Sequence, residues 1–330
     1  MSIQKQQRLS FLMISIVAIM FPGDSFLFAS SLVYFNHTGS ENVPLLRSRR
    51  RISDLSKESE DPKVSEEKSD RHLPKALIIG VKKAGTRALL EYLRIHPEVR
   101  APGPEVHFFD RHYDRGLEWY RRQMPLSSSK QLTIEKTPSY FVTRSAPERI
   151  YEMNPDMKIL LVVRDPVTRA LSEYAQVCAK RPDIGSFESL AFLSNPDGSR
   201  RVNEKWGAVK LGLYWMILRR WLQFFPLKNI LVVSGERLIS NPSQEMKMVE
   251  EFLGLYPVIS EEHFFYNETK GFPCLRKDGL RSSEPHCLGH TKGRTHPTLS
   301  SESLRLLRDY YSPHNEIFSR LVNRRFHWQS

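Results

Sequence analysis

Cysteine is scarce: Cys178, Cys274 and Cys287 are the only three in 330 residues, and their spacing fits no zinc-binding pattern. A structural zinc module is therefore not expected, a disulfide-held miniprotein is excluded by length, and at most one intramolecular bridge can form. Acidic residues are in deficit, with Asp and Glu at 37 against Lys and Arg at 49. The resulting net charge of +12 and pI near 9.6 favour a polyanionic or phosphate-bearing partner. Hydrophobic residues make up 40% of the chain, ordinary globular usage that argues against wholesale disorder and against a multi-span membrane protein. No internal repeat is evident. At this length one large or two modest domains are expected.

No apolar run is long and unbroken. Phe11 to Phe21 follows a basic flank of Lys5 and Arg8, Pro22, Gly23 and Asp24 interrupt it, and it resumes from Phe26 to Phe35. Residues 1–10 read as a cytosolic tail and 11–35 as a signal-anchor, with a cleaved signal peptide as the alternative. Either sends the chain into the secretory pathway, and the anchor gives a single-pass type II topology with the bulk of the chain luminal. Residues 36–72 read as a flexible stem. From Arg47 to Arg71 they carry eight Lys or Arg and seven Asp or Glu with almost no large apolar residue. Arg47-Ser48-Arg49-Arg50 has the look of a convertase site, although such a run is more often simply solvated. Sequons at Asn36 and Asn267 are compatible with a luminal, glycosylated chain.

What is present begins near Leu73, giving a folded domain over 73–330. Ala76 to Val81 is the continuous apolar run of a strand buried on both faces, and Thr86 to His96 follows with leucines on one helical face. The grammar repeats with a strand at Met157 to Val163, a helix from Val167 to Cys178, and a third strand at Asn229 to Ser234. Helical patterns at Leu211 to Phe225 and Pro242 to Leu253 complete an α/β class with a central parallel sheet flanked by helices.

Gly80-Val81-Lys82-Lys83-Ala84-Gly85-Thr86-Arg87 lies between strand and helix, where backbone N–H groups and the helix dipole bind an anion. Its glycines have nucleotide P-loop spacing, but Thr86-Arg87 stands where Lys followed by Ser or Thr is needed, which disfavours Mg²⁺-dependent NTP hydrolysis. A phosphate loop of another class is implied.

This loop, the segment Arg164-Asp165-Pro166-Val167-Thr168-Arg169-Ala170-Leu171-Ser172, and Lys292-Gly293-Arg294-Thr295-His296-Pro297 together resemble the sulfotransferases that use 3′-phosphoadenosine-5′-phosphosulfate (PAPS). Two further blocks, Glu105-Val106-His107-Phe108-Phe109-Asp110 and Glu135-Lys136-Thr137-Pro138-Ser139-Tyr140-Phe141, narrow the resemblance to the heparan sulfate glucosamine 3-O-sulfotransferases. Gly271-Phe272-Pro273-Cys274 and His286-Cys287-Leu288-Gly289 make it resemble the isoform 3 type. The resemblance implies a P-loop-like PAPS-dependent sulfotransferase fold, PAPS as donor with no metal required, heparan sulfate as acceptor, and a Golgi membrane location.

It also implies roles. Lys83, Ala84, Gly85, Thr86 and Arg87 cradle the 5′-phosphosulfate; Arg164 and Ser172 hold the 3′-phosphate; Lys292, Gly293, Arg294, Thr295 and His296 close over the donor. Ala84 stands where the family usually has a glycine, which is tolerated unless that position needs positive φ. Glu105 is the base for the glucosamine 3-hydroxyl, with His107 an alternative base, and Lys83 meets charge at the leaving phosphate. Phe108 and Phe109 are expected in the core. Asp110, Arg111, Lys136, Gln176 and Trp206, with Glu105 and His107, are the saccharide-side candidates. Nucleic acid, the competing polyanion, is disfavoured by the expected luminal location and the lack of a binding motif. A sulfotransferase for another glycan position, or a non-catalytic heparan sulfate-binding protein of the same fold, is the alternative. Cys274 and Cys287 bracket a short polar loop in an oxidising compartment and are expected to pair, leaving Cys178 as a free, buried thiol on its helix.

Overall fold

The computed structural model describes residues 69–276, 287–289 and 294–328. The N-terminal tail, the anchor, nearly all of the stem with its sequon at Asn36, and Lys292 and Gly293 lie outside the described residues. Among the described residues no helix is long and apolar enough to cross a membrane.

The chain order of the main elements is β1 Ala76–Gly80, α1 Thr86–Leu93, β2 Val99–Arg100, β3 Leu132–Lys136, α2 Ala146–Met153, β4 Lys158–Val163, α3 Pro166–Cys178, α4 Tyr214–Trp221, β5 Ile230–Ser234, α5 Pro242–Leu253 and α6 Ser301–Leu321. The five strands form one sheet in the order β2-β3-β1-β4-β5, parallel throughout. All five residues of β1 are buried, as the unbroken apolar run requires of a strand covered on both sides. The chain goes from β1 to β3 on one side, then crosses β1 to reach β4 on the other. At such a reversal of strand order, ligands usually bind outside the C-terminal ends of the strands.

Several boundaries move for local reasons. The first helix ends at Leu93 rather than His96, because Pro97 disfavours helical backbone at the residue before it; the amides of Ile95 and His96 instead close three-residue turns onto Tyr92 and Leu93. The helix expected from Leu211 begins at Tyr214. Gly212 packs where a β-carbon would meet the Tyr311 ring at 2.7 Å and Pro166 at 2.9 Å, so the chain passes this point in a turn. The strand expected from Asn229 begins at Ile230, and α3 begins at Pro166, capped by Asp165 accepting from the Thr168 amide at 2.8 Å. Ordered pairing starts inside the segment read as stem: Asp70–Arg71 lies antiparallel to Leu126–Ser127.

Cys274 and Cys287 form a disulfide and Cys178 is a free thiol, as expected. Cys178 is half-buried rather than buried, because its turn of α3 reaches the rim of the fold beside Tyr174.

Candidate active site

Four connections meet at the C-terminal edge of the sheet. Leaving β1, the Val81 amide donates to the Val162 carbonyl of β4 at 2.7 Å, and the Ala84 amide closes a turn onto Val81 at 3.0 Å. Positive φ falls at Lys83 (73°) and Gly85 (118°) and not at Ala84, which is why alanine is accommodated there. Thr86 then opens α1, whose first turn carries no acidic residue to oppose an anion. Gly235, just past β5, lies beneath this loop: a β-carbon there would stand 2.2 Å from the Ala84 carbonyl oxygen and 3.0 Å from that of Val163. Nothing in the sequence around Gly235 marks it for this role.

The two loop lysines are treated differently. Lys82 is paired through Nζ with Glu173 of α3 at 2.9 Å. Glu173 also binds the fully buried Arg169 at 2.7 Å, and Arg169 donates to the Ala208 carbonyl. Burial alone would raise the Glu173 carboxyl, but Arg169 and Lys82 outweigh it and hold it below the ordinary carboxylate range. Burial lowers the His296 imidazole below its ordinary value, and the charges of Arg164 and, after it, Lys83 lower it further. The end of β4 and the β1 loop thus each bring a positive charge within electrostatic reach of the ring before α6. The Arg87 guanidinium pairs with Glu91 at 2.6 Å and donates to the Gly103 carbonyl at 3.0 Å. Ser172 is half-buried on α3.

A second cluster forms beside β3. Lys136, the last residue of the strand and almost fully buried, donates through Nζ to Glu105 Oε1 at 2.5 Å. His107 Nε2 is 3.4 Å from Glu105 Oε2, and its Nδ1 is 3.0 Å from Asp110 Oδ2. Ser139 Oγ donates to the same Asp110 oxygen at 2.6 Å. Asp110 therefore sits behind the imidazole on its Nδ1 side and orients the ring, and is not itself presented outward. Glu105 remains more than one third exposed, so the carboxylate is open to an acceptor. Because Ile78 of β1 pairs with Lys136 and the Thr137 amide donates to the Ile78 carbonyl at 3.2 Å, this cluster and the loop leaving β1 share one edge of the sheet.

Of the other saccharide-side candidates, Arg111 is exposed with its Nε 3.9 Å from Asp110. Trp206 packs edge-on against Phe187, ring centroids 5.1 Å apart, in the satellite core that also receives Tyr174 and Leu171 of α3; Gln176 is half-buried on that same helix. Phe108 and Phe109 are in the core, as expected. Thr295 is exposed and Arg294 half-buried. Three residues with no expected role, Glu135, Thr137 and Tyr140, prove to contact the backbone of the Glu105–Phe108 segment.

A parallel sheet with an anion loop at its central strand and a carboxylate–lysine–histidine cluster on the next strand defines a group-transfer site, and residues 73–318 match the Sulfotransferase domain family. The chain belongs to that family and, within it, to the heparan sulfate glucosamine 3-O-sulfotransferases. It is 56% identical over 262 residues to mouse heparan sulfate glucosamine 3-O-sulfotransferase 3A1, covering 79% of this chain and 66% of that one. It is 53% identical over 258 residues to human heparan sulfate glucosamine 3-O-sulfotransferase 6, covering 78% and 74% respectively. The chain thus spans a little under two thirds of the length of the isoform 3A1 relative. A sulfotransferase crystal structure from Alicyclobacillus acidocaldarius shares the fold, with a TM-score of 0.58 at 22% identity, covering 78% of this chain and all of that one.

Proposed function

We propose that this chain transfers a sulfuryl group from PAPS to the 3-hydroxyl of glucosamine residues in heparan sulfate, as a Golgi membrane protein of type II topology with its catalytic domain in the lumen. The observation that carries this reading is the Glu105 carboxylate, clasped by Lys136 and His107 and open to solvent at the sheet edge shared with the anion loop. PAPS, when bound, supplies an electrophilic sulfur and a phosphate leaving group. The residues present fit such a donor: backbone N–H groups around Gly85 and the start of α1, with Lys83, suit its 5′ end, and Arg164, whose charge reaches His296, suits additional phosphate charge.

Glu105 accepts the proton of the acceptor hydroxyl as that oxygen attacks sulfur, and Lys136 supplies the counter-charge at Oε1. His107, with Asp110 on its Nδ1 side, turns Nε2 toward Oε2 of Glu105, so the abstracted proton can be shared within the pair. Lys83 meets the negative charge that develops at the leaving phosphate. Arg111, Gln176 and Trp206 extend the acceptor side, and the net charge of +12 favours a sulfated polyanion through salt-sensitive contacts.

Release of PAP on mixing the protein with PAPS and heparan sulfate tests the reading; a protein that binds the polysaccharide and releases none is a non-catalytic binder. Arg164→Ala should weaken PAP binding by about 1.5 to 3 kcal/mol, the range for a hydrogen bond to a charged group. Calorimetry checks this, and an unchanged affinity removes Arg164 from the donor grip.

A further inference from the structure

Three successive backbone amides in the segment that carries Glu105 and His107 are received by side chains from one neighbouring segment. The Val106 amide donates to Glu135 Oε1 at 3.4 Å, the His107 amide to Thr137 Oγ1 at 3.3 Å, and the Phe108 amide to the Tyr140 hydroxyl at 2.9 Å. Thr137 Oγ1 in turn donates to Glu135 Oε1 at 2.6 Å, and Tyr120 donates to Oε2 at 3.2 Å. Glu135, Thr137, Tyr120 and Tyr140 are all fully buried. None of them reaches solvent, so none touches an acceptor sugar, and the catalytic roles described above use none of them.

At the centre of these contacts the backbone does something that its sequence disfavours. His107 adopts φ 54° and ψ 35°, the left-handed region that a β-carbon makes unfavourable. This one residue turns the chain into the short helix Phe108–Arg111, and that turn is what brings Asp110 back against His107 Nδ1. The chain before it leaves Glu105 on the side of Nε2. A residue held in such a conformation needs surroundings that over-determine it, and the three received amides are those surroundings.

We propose that Glu135, Thr137 and Tyr140 clamp the backbone of residues 106–108 and so set the angle at which Glu105 and His107 address the acceptor hydroxyl, with Thr137 as the positioning residue at its centre. Thr137 is singled out because one hydroxyl performs both functions: it accepts from the amide of the left-handed residue and donates to the buried carboxylate that holds the preceding amide. Burial raises the Glu135 carboxyl, and the donors around it work against that rise, so withdrawing the Thr137 hydroxyl also removes part of what supports Glu135. The inference rests on the sulfuryl-transfer reading, because a clamp on a non-catalytic segment has no rate to set.

The test compares Thr137→Ser, which keeps the hydroxyl, with Thr137→Val, which keeps the shape and loses it, each read by kcat, by KM for PAPS and by PAP affinity. Thr137→Ser should stay within about threefold of the wild-type kcat, whereas Thr137→Val should lose roughly ten- to a hundredfold in kcat, the scale of a sub-ångström misplacement, at unchanged PAP affinity. A Thr137→Val protein with wild-type kcat overturns the clamp, as does equal loss in both variants or a loss that tracks weakened PAP binding. Where Thr137→Val yields no folded protein, Glu135→Asp takes its place: a tenfold or greater fall in kcat at unchanged PAP affinity supports the clamp, and a smaller fall overturns it. Absence of PAP release by the wild-type protein defeats the transfer reading and the clamp together; normal wild-type turnover with undiminished variants defeats the clamp alone.

Discussion

Glu105→Gln is expected to lower kcat by on the order of 10² to 10⁴ while PAP binds as tightly as to the wild-type protein. The substitution keeps the size and one hydrogen-bond acceptor, so the contact with Lys136 Nζ can persist, but an amide cannot take a proton from a sugar hydroxyl. His107 cannot simply replace it. Its Nδ1 is committed to Asp110, and its Nε2 faces the Glu105 carboxylate at 3.4 Å, so its reach toward an acceptor runs past Glu105. Near-normal turnover in Glu105→Gln removes Glu105 as the base and promotes His107. A parallel fall in PAP affinity would show that the substitution disturbed the donor loop instead.

Gly235→Ala should weaken PAP binding roughly a hundredfold, an expectation that comes from packing alone. The added β-carbon would lie 2.2 Å from the Ala84 carbonyl oxygen and 3.0 Å from that of Val163, and both obstacles are backbone that cannot swing aside. Relief demands a shift of either the sheet or the loop. The sheet is the stiffer of the two, since β4 and β5 pair through five successive residues and the Gly235 amide continues the ladder to Val163 at 2.8 Å. The loop between β1 and α1 yields, carrying with it the backbone groups proposed to receive the donor. Overpacking of this kind costs about 3 kcal/mol at the upper end of its usual range, and here the cost falls on the binding loop. Calorimetry with PAP reads it directly; wild-type affinity in Gly235→Ala shows that the loop tolerates the displacement or does not bind the donor.

Much of this architecture was legible because hydrophobicity and periodicity point the same way. β1 and, after Lys158, β4 are unbroken apolar runs, and α5 spans the residues its pattern predicts, between the Asn241 cap and Gly254 at positive φ. β3 was not legible. Thr133, Glu135 and Lys136 are buried polar residues in a strand, the last two bonded to the segment that carries Glu105, and their composition hides the strand that carries them. α6 escaped for a different reason: Pro313 lies inside a helix of 21 residues and reads as a breaker in the sequence.

The site shows the same division. Glu105, His107, Asp110 and Lys136, singled out by motif, come together within hydrogen-bonding reach. The amides held by Glu135, Thr137 and Tyr140 have no sequence signature, because side-chain contact with backbone leaves no periodicity to read. Gly235 is explained only by a carbonyl far away in the chain. Arg87, assigned to the donor by its place in the loop, also pairs with Glu91 one turn along α1, a local contact that motif reading does not show.

The central claim is sulfuryl transfer from PAPS to one particular hydroxyl, and the position of the transferred group tests it most directly. The full chain is incubated with heparan sulfate and sulfur-labelled PAPS, and the polysaccharide is then degraded to disaccharides and separated. The account predicts label on the 3-oxygen of glucosamine, with PAP released in equal amount and both signals lost together in Glu105→Gln. Label on the glucosamine nitrogen, on its 6-oxygen or on the uronic acid, or PAP release without labelled sugar, would contradict it.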